Sequence, residues 1–300
     1  MFRNACALAP RFTWPVILSR RSIGGDCSSS IGAFVIVNEE GWIVTAFHMV
    51  DLLAKMNDGA QKTRNREAEE ARIRSDPTLD KRTRQKQVSS LGRLGKEDTD
   101  RCSVWWGRDG VTIPQFHTLP AADLAVGKLE PFDKTWVADY PTFKNPSMNF
   151  EPGTSLCKLG FPFHQITPTW DAAKNSFVLP PGSLPLPLFP IDGILTRFAD
   201  IQVVGPAAPP TPLPFPLRFL ETSTPGLRGQ SGGPIFDTQG TVWAIQSRTF
   251  HLSLGFDAAV PGAKSGQKEH QFLNVGHGVH AATILGFFAQ IGINANVSTY

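Results

Sequence analysis

The sequence predicts an all-β fold that closes on one helix, and three observations predict it. Short apolar runs recur along most of the 300 residues, turn-forming Gly, Asn and Pro separate them, and helical spacing is clear only near the C-terminal end. The 27 glycines, 25 prolines and 18% charged residues suit many short strands better than a helical bundle. An apolar content of 41% can bury a sizeable core, as one large all-β domain or two small barrels packed together. The net charge of +3 is mild and asks for neither a nucleic-acid nor a membrane partner.

The elements read in order as follows. The N-terminal stretch MFRNACALAPRFTWPVILSRR is broken by Pro10, Arg11 and Pro15, so it makes a poor secretory segment. No apolar run approaches the ~20 residues needed to cross a bilayer. Cys6, Cys27, Cys102 and Cys157 form no CxxC pair, which argues against a metal site. Reduced thiols and a cytoplasmic location are the expectation. Residues 31–37 and 41–47 are apolar runs around Asn38-Glu39-Glu40-Gly41 and predict a hairpin. From about Asp51 to Arg101 the chain is densely charged. QKTRNREAEEARIRSD has helix-forming composition but almost no apolar stripe, so a solvated excursion with two short helices, or an interaction arm, is expected there. Gly107-Arg108-Asp109-Gly110 then turns between two strand-like runs, AADLAVGKLEPF gives a buried strand, and residues 140–154 read as a connection between halves. SLCKLGFPF and GILTRFADIQVVG predict strands, with Pro-rich loops at 179–190 and 206–216. A hairpin turns at Thr238-Gln239-Gly240. HAATILGFFAQIG is helical, with apolar residues at 281, 284, 285 and 288 and a stop at Gly292.

The strongest chemical signal is GQSGGP, Gly229 to Pro234. A serine hydroxyl is a weak nucleophile. It needs a base to take its proton, a group to orient that base, and N–H donors for the oxyanion. Glycines beside a serine allow so tight a turn that backbone N–H groups converge on the developing charge. Ser-Gly-Gly-Pro is also good turn sequence, so the rest of the chain decides. GQSGGPIFDTQGTVWAIQS resembles the nucleophile segment of trypsin-like peptidases, especially those related to the HtrA proteases. GAFVIVNEEGWIVTAFHMV resembles the two strands that end in Thr-Ala-x-His, and AADLAVGKL resembles the segment that carries the orienting acid.

The resemblance implies two six-stranded antiparallel β-barrels of the chymotrypsin type, over 1–140 and 141–300. A charged, partly helical insertion at about 54–101 would interrupt the first barrel, and a terminal helix would follow the second. It implies a serine endopeptidase acting on protein or peptide substrates, with His48 as base, Asp123 as orienting acid, Ser231 as nucleophile and the N–H groups of Gly229 and Ser231 as the oxyanion hole. No metal or organic cofactor is implied. Pocket walls would come from Pro225, Leu227, Ser247, Arg248, Thr249, Gly278 and His280. The chain departs from secreted digestive relatives at Gln230, where a neutral amide replaces the aspartate that pairs with a new N-terminus, and at Met49 and Leu227, where those relatives often have disulfide cysteines. Pro225 stands where trypsin has an acid, so an Arg/Lys preference is not expected. Arg248 and His280 can attract an acidic side chain, and a small or apolar preference is equally compatible. The sequence ends soon after its last predicted helix, so a PDZ domain is not expected. A bacterial effector switched on by a protein partner is one expectation; a catalytically silent pseudo-protease serving as a binding module, or a nucleic-acid binder led by the insertion, are the others.

Overall fold

The computed structural model describes residues 1–200, 212–259 and 268–300. A short helix, α1 (Arg3–Leu8), leads into strands β1 (Thr13–Ser22), β2 (Cys27–Ile36) and β3 (Trp42–Ala46). Helices α2 (Phe47–Ser75) and α3 (Lys81–Ser90) follow, then β4 (Thr99–Trp106), β5 (Phe116–Leu119) and β6 (Leu124–Lys128). These six strands form one antiparallel sheet in the order β4-β1-β2-β3-β6-β5. The predicted hairpin is β2–β3, in register at Val35↔Val44 and Ile36↔Ile43. The broken stretch TWPVILSRRS is a full strand. Pro15 is tolerated because it faces Ala33 of β2 at a point before β4 begins to pair, at Val16.

The second half contributes β7 (Thr142–Phe143), β8 (Ser155–Gly160), β9 (Thr169–Asp171), β10 (Ser176–Val178), β11 (Phe189–Asp200), β12 (Arg218–Thr222), β13 (Pro234–Phe236), β14 (Val242–Ala259), β15 (Lys268–His280), α4 (Ala281–Ile291) and β16 (Asn296–Val297). Apart from the β9–β10 ribbon these lie in one sheet, ordered β13-β8-β11-β12-β15-β14-β7-β16, with β13 also pairing β14. Helix α4 ends where Gly292 takes φ 78°, a left-handed conformation that glycine adopts without strain. A shared apolar core joins the halves: Phe34 and Trp106 of the first sheet, Phe219 and Phe236 of the second, and Phe288 of α4 belong to one buried cluster. Edge-on ring pairs, Phe34–Trp106 at 5.6 Å and Phe143–Phe288 at 5.7 Å, add directional packing to it.

Three expectations change. The fold is mostly β rather than all-β, because the insertion is not two short helices beginning near residue 54. One helix of 29 residues starts directly at Phe47. Its buried residues Met49, Met56, Ala60, Thr63 and Ile73 make a stripe about one residue wide per two turns, too thin to register as periodicity. It docks through Thr63 Oγ1, which donates to the Thr99 carbonyl at 2.8 Å, and its outer face pairs its own charges, Arg66 and Arg74 with Glu70 and Arg72 with Glu69. Second, the first six strands form an open sheet, since among the described residues β4 and β5 do not pair. Third, Phe189 and Pro190 belong to β11 rather than to the first Pro-rich loop. Residues 201–205 of the GILTRFADIQVVG run and 206–211 of the second Pro-rich stretch lie outside the described residues.

Candidate active site

Adjacent strands bring His48 and Asp123 together. β3 and β6 pair from Trp42↔Lys128 to Ala46↔Leu124, so the residues just beyond that last pair meet at one end of the sheet. His48 occupies the first turn of α2, and Asp123 sits at φ 53° between a 3₁₀ turn and β6. Hydrogen bonds from Phe47 and His48 tie this first turn of α2 to Asp123. Phe47 N donates to the Asp123 carbonyl at 3.0 Å, His48 N donates to Asp123 Oδ1 at 2.9 Å, and His48 Nδ1 lies 2.9 Å from Asp123 Oδ2. Ser247 Oγ donates to the same Oδ2 at 2.5 Å. Burial pulls the Asp123 carboxyl upward, but the hydrogen bond and charge of His48, with Ser247 and the His48 N–H, outweigh it. The net result is a pKa below the ordinary 3.8.

Ser231 lies in the loop between β12 and β13, which is clamped on both sides. Ala33 N of β2 donates to the Ser231 carbonyl at 2.8 Å, and Gly232 and Gln246 exchange with the loop through Gly232 N to Gln246 O and Gln246 N to Gly233 O, both 2.8 Å. Gly229, at φ 97°, can carry no side chain: a Cβ there would lie 2.3 Å from the Phe161 carbonyl oxygen. Among the described residues, the N–H groups of Gly229 and Ser231 donate to no acceptor. Buried Gln230 accepts from Leu227 N at 3.0 Å through Oε1 and donates to the Phe189 carbonyl at 3.4 Å, so its neutral amide holds the loop from within. His48, Ser231 and Gly229 line one cleft of about 620 Å³, whose far wall is Phe161, Phe163 and His164. Among the described residues no hydrogen bond joins Ser231 Oγ to the His48 ring.

A second cavity of about 410 Å³ opens on the other side of Ser231 and is lined by Pro225, Leu227, Ser247, Arg248 and Thr249 among others. Thr249 Oγ1 donates to the Gly226 carbonyl at 2.6 Å and ties its two walls together. Gly278 and His280 are not part of it, which corrects the sequence reading. Gly278 faces the sheet interior, where a Cβ would meet Ile235 and Ala244. His280 is 2% exposed, stacked with Phe150 at 4.3 Å, and its Nδ1 accepts from Ala282 N at the start of α4. Burial, aided by the nearby Arg218 charge, lowers its pKa to about 4, so it is a neutral helix cap. Both residues end an alternating strand, and alternation alone does not tell which side faces substrate.

The sequence places Arg228 within the wall stretch 225–228, whereas sequence reasoning missed Gln246 and Lys158. Arg228 lines both cavities and stood next to the glycine-serine motif. Lys158, between Cys157 and Leu159 on β8, is 1% exposed. Its ammonium donates to the carbonyls of Thr224 and Pro225, the latter at 3.0 Å, and to Thr224 Oγ1 at 3.2 Å. A lysine in the middle of SLCKLGF was the available signal. Burial lowers its pKa from the ordinary 10.5 to about 7. Between those values the unfolded chain keeps the proton and the folded chain releases it, so stability rises with pH across that window and the full penalty applies below about 7. Lys158→Met abolishes this titration. Wild type is therefore expected to gain stability relative to the variant from about pH 7 to 9, by at most about 1.4 kcal/mol per unit. Urea unfolding of both chains across that range checks this, and a pH-independent difference would show that Lys158 does not titrate there.

Among the described residues no cluster of three or more His, Cys, Asp or Glu is placed to hold a metal ion, and no helix is long and apolar enough to cross a membrane. No curated protein matches the chain. Among solved structures, the HtrA-type protease AlgW with a tripeptide aligns at 17% identity and a TM-score of 0.45, covering 98% of this chain and 65% of that one, so the chain spans just under two thirds of its length. The active form of the Rv3671c protease from M. tuberculosis aligns at 13% identity and a TM-score of 0.47, covering 99% of this chain and 88% of that one. The family model described as the trypsin-like peptidase domain matches residues 32–245, well over half of the sequence. The chain belongs to the trypsin-like peptidase family.

Proposed function

We propose that the chain is a serine endopeptidase that cleaves protein or peptide substrates through His48, Asp123 and Ser231. The observation that carries this reading is the bond network about Asp123: one carboxylate accepts from the His48 ring, the His48 backbone and Ser247, while Ser231 lines the same cleft as that ring. In the proposed mechanism Ser231 Oγ attacks a substrate carbonyl and its proton passes to His48 Nε2. Asp123 fixes the Nδ1–H tautomer and supports the imidazolium. The unbonded N–H groups of Gly229 and Ser231 receive the oxyanion. His48 then returns the proton to the leaving amine, and a water that His48 deprotonates hydrolyses the acyl-enzyme.

The catalytically silent reading has one observation in its favour, the missing His48–Ser231 hydrogen bond. Such bonds are often long before substrate arrives, so the intact Asp123 network weighs more. Treatment with a fluorophosphonate separates the two. A single covalent adduct, mapped by mass spectrometry to the peptide containing Ser231, is the expected result; no adduct would reject the enzyme reading. Regulation by a protein partner in the cytoplasm, as an effector, is part of the proposal. It is supported by the first turn of α2 carrying His48 while the rest of that helix presents a charged outer face. Full activity of the purified chain alone would count against such control.

A further inference from the structure

We propose that the cavity beside Ser231 takes an acidic side chain, Asp or Glu, at the residue whose carbonyl is attacked, and that Arg248 reads it with Arg228 at the mouth. This rests on the peptidase reading above and adds its substrate class. No carboxylate lines either cavity that meets at Ser231, whereas Arg228 lines both and Arg248 lines the pocket side. Neither arginine has a carboxylate partner among the described residues. Arg248 is nevertheless held in place: its guanidinium lies 5.0 Å over the Phe219 ring and 5.8 Å from that of Phe250. A cation already ordered by aromatic faces loses little freedom when it pairs with an incoming carboxylate.

The carboxylate bonded to His277, the strand partner of Arg248, is already committed. Glu221 of β12 is 5% exposed and bonded to Arg197 at 2.9 Å, Thr196 at 2.8 Å and His277 at 3.2 Å. Behind the pocket, the Lys158 amine has only carbonyl and hydroxyl oxygens as partners, all three of them on Thr224 and Pro225 in the loop after β12. The site therefore places two arginines around the cleft without supplying their counter-ion. Such a cleft attracts an acidic side chain and repels a Lys or Arg. One atom argues for a different occupant. Gln246 Oε1 is buried without a donor, because Nε2 is spent on the carbonyls of Arg248 and His277 at 3.1 and 3.2 Å. An amide side chain from substrate would suit that oxygen better than a carboxylate, so the test must compare Glu with Gln.

The test uses Ser231→Ala full-length chain and four N-terminally fluorescent pentaalanine peptides extended by a C-terminal Glu, Gln, Leu or Lys, titrated by anisotropy. The Glu peptide is expected to bind at least about tenfold tighter than the Gln peptide, with Lys weakest. Arg248→Glu should erase that order or invert it. Arg228→Glu, on the exposed loop, should shift it in the same direction if the first variant folds poorly. Tighter binding of Gln than Glu would hand the pocket to Gln246 and overturn the inference. So would a Glu preference that survives both charge reversals, or no binding by any peptide at ~1 mM. Fluorophosphonate labelling of the parent chain reads the nucleophile independently of the pocket. A labelled chain without acidic preference fails here alone, and an unlabelled chain that still selects Glu fails only as a peptidase.

Discussion

Ser231→Ala is expected to lower kcat by about 10⁶ while leaving the fold intact, and adding His48→Ala should cost almost nothing more. The reason is that the two side chains serve one step. With no hydroxyl to attack, a base has no proton to accept, so a second deletion removes a function already lost. Asp123→Asn should be milder, at about 10⁴, because the ring remains present but is offered the wrong tautomer. Stability should hardly register the serine change. Among the described residues Ser231 Oγ makes no hydrogen bond, and its loop is held by backbone contacts to Ala33 and Gln246. Asp123 is different, since its carboxylate accepts from three donors and an amide cannot replace all of them. Single-turnover acylation by an activated peptide ester measures the rates, and thermal unfolding measures the rest. Losses at 48 and 231 that multiply would mean that the two side chains act independently, and the triad would be abandoned.

What the sequence made legible follows from how local each signal was. The strands around His48 and Asp123 announce themselves because the second half of β2 and most of β3 and β6 are apolar. Every residue from Ile43 to Ala46, and from Leu124 to Val126, is fully buried. The glycines about Ser231 were legible because the backbone contacts there exclude any Cβ, so the motif is written in a run of adjacent positions. The insertion was harder to read because α2 docks on β4 through a narrow stripe and two hydrogen bonds, at Thr63 and Asn57, which leaves a composition that resembles free surface helix. The pocket was harder still. Ser247 lines the pocket as expected, but its hydroxyl also serves Asp123, more than a hundred positions away in sequence. His280, a candidate pocket wall for which a packed, hydrogen-bonded place is the commoner expectation, is buried and caps α4. Lys158 acquires its character only from Thr224 and Pro225, which fold over it from the loop after β12. No pattern within a strand records which distant segment will cover it.

The clamp between the sheets is the place where one added carbon should do the most structural damage. Gly232 lies at φ 84°, and a Cβ on it would fall 2.1 Å from the Ala33 carbonyl oxygen and 2.3 Å from Thr45 Oγ1. Those two atoms are themselves hydrogen-bonded at 2.8 Å, and both residues are fully buried, so neither can move aside without opening β2 from β3. Gly232→Ala therefore combines left-handed backbone strain, of about 1–2 kcal/mol, with a clash against backbone that cannot relax. The expected loss exceeds about 4 kcal/mol, or the chain fails to fold. Gly25→Ala separates the two contributions. Its φ of 94° imposes similar strain, but nothing lies within 4 Å of the new carbon. Urea unfolding of both variants should place Gly232→Ala at least about 2 kcal/mol below Gly25→Ala; equal stabilities would mean that the loop yields without resistance. The consequence reaches the chemistry, because the Ser231 carbonyl and Ala33 N form the neighbouring bond of the same clamp. Any Gly232→Ala chain that does fold must have shifted that bond, and with it the hydroxyl, so it should resist fluorophosphonate even though His48, Asp123 and Ser231 are all still present.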